Sequence, residues 1–212
     1  MEEVRKPRKE SMKKILLVSD GIFHPPLWGR MILHKFLRKM DGFAFEDVHS
    51  LEKLPADVNN FSGLVLHFHH KQISPEALAR LDEYVKNGRG ILAIHSATAS
   101  FKQNALTYFE ILGGRFVGHG KVELIEVKNQ NSEIFSGIPN FTVSDELYLH
   151  ELNDKIQVHF TTRYGGKDVP VVWTKLYGEG KVCYCVPGHT SGSMKNQNYQ
   201  RVLQRGLEWV TE

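Results

Sequence analysis

The stretch Gly88-Arg-Gly-Ile-Leu-Ala-Ile-His-Ser-Ala-Thr98 decides the architecture. Asn87-Gly88 stops a helical run, residues 90–95 form a short apolar segment, and small polar residues follow at once. An apolar run of this length between turn signals reads as a strand buried on both faces. Strands of that kind belong to sheets covered by helices. A buried strand running straight into His95-Ser96 is also how α/β folds present a reactive side chain, on a tight strand-to-helix turn.

The flanking sequence agrees. Residues 14–19 (KILLVS) read as a first buried strand ending in the turn Asp20-Gly21, 43–49 as a second strand and 64–68 as a third. Helical spacing occupies 27–40, through Met31, Ile32, Phe36 and Leu37. Ser74-Pro75-Glu76 supplies an N-cap, a proline in the first turn and a first-turn acid for a helix running to Lys86. Residues 104–112 form a helix closed by Gly113-Gly114. This alternation of strand and helix predicts a mostly parallel sheet. Residues 122–127, 141–149, 156–163, 169–176 and 181–186 are strand-like in succession, and 198–210 is an amphipathic helix. The expected fold is therefore α/β, one domain over 14–212, with antiparallel strands added at one edge of the central sheet.

Composition excludes several functions. The chain has 212 residues, enough for one domain that needs no staple. No run approaches the ~20 apolar residues of a membrane span, and no signal-peptide core is present. The expected address is the cytoplasm. The formal charge of +3 resides in the first 14 residues, where six Lys or Arg oppose three Glu. Residues 1–13 read as a disordered charged tail, and no basic stripe marks the folded part as a nucleic-acid binder. Cys183 and Cys185 lie two apart in an apolar strand, where a disulfide would be badly strained.

Ligands of open α/β sheets bind beyond the carboxyl ends of the strands. His24, His69, His70, His95, Ser96 and His189 fall at such ends. His119 stands between Gly118 and Gly120, which would allow close backbone approach. Asp145-Glu146 would point to opposite faces of a strand, so at most one carboxylate enters the cleft. His67 and His69 share a strand face and could begin a metal site, although two histidines do not complete one. Tyr148 and Trp173 could stack on a sugar ring or pack in the core. His34, His49, His150 and His159 read as surface or satisfied positions.

Taken in order, His95-Ser96-Ala97, Leu112-Gly-Gly-Arg-Phe116 with His119, Asp145-Glu146-Leu147-Tyr148, Pro170-Val-Val-Trp173, Gly178-Glu-Gly-Lys181, Gly188-His189 and the closing helix with Trp209 form an ordered set. On these residues the chain resembles the trehalose-utilisation (ThuA-like) family from about Lys14 to Val210. The resemblance implies a three-layer, flavodoxin-like fold of the class I glutamine amidotransferase type. It also implies a role in bacterial sugar catabolism, on keto-sugars or 3-keto-glycosides. Amidotransferases need a cysteine where this chain has His95, so glutamine hydrolysis is not expected. The expected catalytic residues are His95, His119, Glu146 and His189, with His24, Ser96, Asp145, Tyr148 and Trp173 around the substrate. The one cofactor entertained is a divalent metal held by His95, His119 and His189. The expected partner is a small-molecule sugar, with neither nucleic acid nor membrane, and self-association is left open. A non-catalytic sugar-binding or regulatory module on a decayed amidotransferase scaffold is the alternative.

Overall fold

A computed structural model describes residues 12–21, 25–101 and 106–212. Its strands are β1 (Lys13–Ser19), β2 (Phe43–Val48), β3 (Gly63–His67), β4 (Gly90–Ile94), β5 (Gly114–Asn129), β6 (Phe141–Leu152), β7 (Gln157–Tyr164), β8 (Lys167–Tyr177) and β9 (Gly180–Cys185). The helices are α1 (Leu27–Leu37), α2 (Pro75–Lys86), α3 (Leu106–Leu112), α4 (Ser191–Lys195) and α5 (Gln197–Val210). The strands form one sheet in the order β2-β1-β3-β4-β9-β8-β7-β5-β6. Pairings from β2 across to β9 are parallel, and those from β9 to β6 are antiparallel. The sheet is thus evenly mixed, with the antiparallel half forming a complete side. Among the described residues no helix is long and apolar enough to cross a membrane.

Every residue of β3 and β4 is buried, as expected for strands covered on both faces. Side-chain alternation on β9 shows the two layers. Cys183 lies against Gly206 of α5, whereas the Tyr184 ring packs on Trp173. Gly90 sets the closeness of the α5 layer: a Cβ there would come within 1.9 Å of the Val210 carbonyl. The cap read at Ser74 forms, and the structure adds one at Asn196. Ser74 Oγ accepts the Ala77 amide at 3.2 Å, and Asn196 Oδ1 accepts that of Tyr199 at 3.0 Å. Helix α1 ends at Leu37, short of the expected residue 40, and β1 begins at Lys13, which pairs with Phe43.

Several imidazoles are folded into the interior. Burial pushes His67 and His150 from the usual 6.5 down to about 3, and His159 down to about 4. Each therefore binds a proton more readily in the unfolded chain than in the folded one. Their contribution is complete above about pH 6.5 and is lost as the pH falls toward the folded values. Each can add a slope of up to ~1.4 kcal/mol per pH unit within that window. Urea melts at about pH 7 and about pH 5 should differ by up to roughly 5–6 kcal/mol, with the acidic sample weaker. Equal midpoints would show that the three rings are not buried as neutral groups.

Candidate functional site

The site begins where β4 stops. His95 takes φ 46°, in the left-handed region that non-glycine residues occupy at a cost of about 1–3 kcal/mol. Several contacts hold it there. Its carbonyl accepts from Tyr184 OH at 2.8 Å and Thr98 Oγ1 at 3.2 Å. Its Nδ1 donates to the Val186 carbonyl at 2.8 Å, and the Tyr148 ring lies with its centroid 3.9 Å away. Gly188 passes so close that a Cβ there would meet His95 Cβ at 2.5 Å. Because a carbonyl only accepts, the neutral ring carries its proton on Nδ1 and its lone pair on Nε2.

That lone pair lies 3.9 Å from Glu146 Oε2. The same oxygen is 3.3 Å from His189 Nδ1 and 3.9 Å from His119 Nδ1. The donor atoms of His95, Glu146 and His189 all lie within 4.8 Å of one another. Glu146 Oε2 is buried and makes no hydrogen bond among the described residues. His119 stands on the rim, 45% exposed, with Nδ1 donating to the Gly120 carbonyl at 2.7 Å. β-Bulges on either side of His119 re-aim this part of β5. One lone-pair imidazole, one carboxylate and a second imidazole can move a proton in both directions. The same atoms form a two-nitrogen, one-oxygen donor set whose shorter spacings approach what metal bonds of about 2.0–2.2 Å require.

Asp145 and Glu146 separate across β6 as their alternation requires. The Asp145 carboxylate is fully buried and accepts from the amides of Gly188 (3.0 Å), His189 (3.1 Å) and Thr190 (3.3 Å), from the Glu146 amide (2.8 Å) and from Ser193 Oγ. It has no face left for substrate. Asp145 is corrected to the residue that seats the His189 loop. Trp173 is corrected too: it is fully buried, donates Nε1–H to the Leu112 carbonyl at 2.9 Å and packs on Tyr184. Tyr148 is nearly buried, its ring enclosed by His95, Phe116 and His119. Ser96 is buried beside His95, its hydroxyl without a hydrogen bond among the described residues. His24 lies outside the described residues.

No protein atom presses on the glycines beside His119: a Cβ at Gly118 would meet nothing within 4 Å and one at Gly120 only Glu123 Oε1 at 3.9 Å. The His67-x-His69 pair does not nucleate a metal set. His67 is fully buried with Nε2 donating to the Gly188 carbonyl at 3.2 Å, and the metal-sized group found among the described residues is His95, Glu146 and His189. His159 is satisfied, between Ser132 Oγ and Thr174 Oγ1 at 2.7 Å each. His150 is not remote: its Nε2 lies 2.9 Å from Thr98 Oγ1, which is 2.8 Å from Tyr184 OH directly behind His95. Sequence reasoning missed this polar backing because only tertiary packing brings residues 98, 150 and 184 together.

The trehalose-utilisation (ThuA) family profile matches residues 14–210. A search of curated proteins finds no match. Among solved structures, a ThuA-like protein from Bacteroides uniformis superposes with a TM-score of 0.80 at 17% identity, covering 99% of this chain and 95% of its own. One from Parabacteroides merdae gives 0.83 at 19%, over 95% and 90%. A cytoplasmic protein from Salmonella typhimurium LT2 gives 0.73 at 15%, over 94% and 100%. At these identities the superpositions speak for the fold alone. The profile match spans nearly the whole chain, and the chain belongs to the ThuA, trehalose-utilisation, family.

Proposed function

We propose that this protein is a carbohydrate-catabolising enzyme that acts on a keto-sugar or 3-keto-glycoside by acid–base chemistry. The observation that supports this most is the convergence of His95 Nε2, Glu146 and His189 on one centre at the sheet's carboxyl edge. Family membership supports the carbohydrate class. A ketone acidifies the neighbouring C–H bond. His95 Nε2 takes that proton while the C–H electron pair becomes a carbon–carbon double bond and expels the glycosidic oxygen. His189 gives a proton to the departing oxygen, and Glu146 stabilises whichever imidazolium is present. Addition of water to the resulting enone completes a net hydrolysis. His119 meets the sugar at the rim. A divalent metal on His95, Glu146 and His189 would supply carbonyl polarisation at the same centre. We place the protein in the cytoplasm, with a sugar as its partner and no role for nucleic acid or membrane.

The test is proton exchange. Wild-type protein incubated in D2O with a 3-keto-glucoside should label the carbon beside the ketone, with metal analysis of the same preparation run alongside. Exchange supports the enzyme. Sugar binding without exchange or turnover would favour the non-catalytic module, and neither binding nor exchange would overturn the carbohydrate reading.

A further inference from the structure

His67 closes β3 on the carboxyl edge of the sheet, yet the chemistry at His95 does not use it. Its ring is fully buried and donates Nε2–H to the Gly188 carbonyl at 3.2 Å. Because a carbonyl only accepts, the other ring nitrogen, Nδ1, is left with a lone pair. That nitrogen makes no hydrogen bond among the described residues. Nor does Ser19 Oγ, at the position of β1 that pairs with His67. Leucine would fill such a core position without stranding a polar atom, so packing alone does not account for a histidine here.

The bond that His67 does make falls on the peptide group leading into His189. The Gly188 carbonyl and the His189 amide belong to one planar unit. His67 holds its oxygen, and Asp145 Oδ1 accepts its N–H at 3.1 Å from the opposite edge. The unit needs holding because it follows a glycine. His95 leaves no room for a side chain at 188, where a Cβ would meet His95 Cβ at 2.5 Å and Ile94 Cγ2 at 2.9 Å. Glycine in turn leaves the peptide free to swing. Its rotation sets where the His189 ring goes, and His189 Nδ1 stands 3.3 Å from Glu146 Oε2.

We propose that His67 is a positioning residue, whose hydrogen bond to the Gly188 carbonyl fixes the His189 imidazole against Glu146. It touches no substrate and acts through the backbone alone. The kinetic part of this inference rests on the acid–base reading of the His95 centre, and the geometric part does not. A histidine that merely filled the core would affect stability and leave the place of His189 unchanged.

Three variants separate the two roles. His67→Gln places an amide nitrogen as many bonds from Cα as the imidazole Nε2, and so keeps the donor. His67→Asn is a bond too short to reach, and His67→Leu fills the space with no donor at all. Crystal structures read the positioning directly. The Gly188–His189 peptide should be rotated and His189 Nδ1 drawn away from Glu146 in the Leu and Asn variants, with both in place in His67→Gln. On a 3-keto-glucoside, kcat of the Leu and Asn variants should fall about 10–100-fold with KM nearly unchanged, and His67→Gln should stay close to wild type. An unmoved peptide in the Leu and Asn variants, or a Gln variant no better than they are, overturns the proposal. Should His67→Leu fail to fold, the comparison of Asn with Gln decides alone. Wild-type protein that does not act on the sugar overturns the functional reading, while a displaced His189 in the variants would still uphold the positioning role.

Discussion

His95→Ala should lower the rate of exchange or turnover on a 3-keto-glucoside by about 10³-fold while the protein remains folded. General acid–base groups contribute roughly 10²–10⁴-fold, and no other imidazole in the site has its tautomer set by the Val186 carbonyl. The fold will feel the change. His95 is fully buried against Tyr148, so it contributes packing as well as chemistry. Its removal should cost ~1–3 kcal/mol through the cavity and the stranded carbonyl. Thermal melting should show a lowered but cooperative transition. Retained activity would remove His95 from the chemistry, and a chain that fails to fold would make it a core histidine.

Asp145→Ala carries the largest expected stability effect. Its carboxylate is the common acceptor for three consecutive loop amides, 188 to 190, and for Ser193 Oγ. Removing it strands buried donors at ~1–3 kcal/mol each, so a loss of about 3–5 kcal/mol in urea unfolding is expected. Activity should fall with it, because His189 stands on the released loop. Asp145→Asn keeps one acceptor oxygen and should lie between the two. Native-like stability of Asp145→Ala would show that α4 and the His189 loop are held by other contacts.

Much of this was legible before any coordinates. The buried strand running into His95, the cap at Ser74 and the alternation of Asp145 with Glu146 are local patterns, and local patterns survive folding. Period two put the neighbouring carboxylates on opposite faces of β6, but it could not say what Asp145 would do. The work of Asp145 depends on a loop 43 residues further along the chain. Trp173 misled for a similar reason: an aromatic suits a sugar face or a core equally well, and only its bond to Leu112 decides. The bulges around His119 and the backing of His95 by Thr98, Tyr184 and His150 leave no trace in spacing, since they arise where distant strands meet.

The central claim is that His95 Nε2, Glu146 and His189 act together on one sugar carbon. A crystal structure of Glu146→Gln soaked with a 3-keto-glucoside tests it most directly, since the variant should bind the sugar and turn it over slowly. The account predicts the carbon beside the ketone within about 3.5 Å of His95 Nε2, with the glycosidic oxygen facing His189, as proton transfer requires. A sugar bound elsewhere on the sheet, or one turning its ketone away from His95, would contradict it.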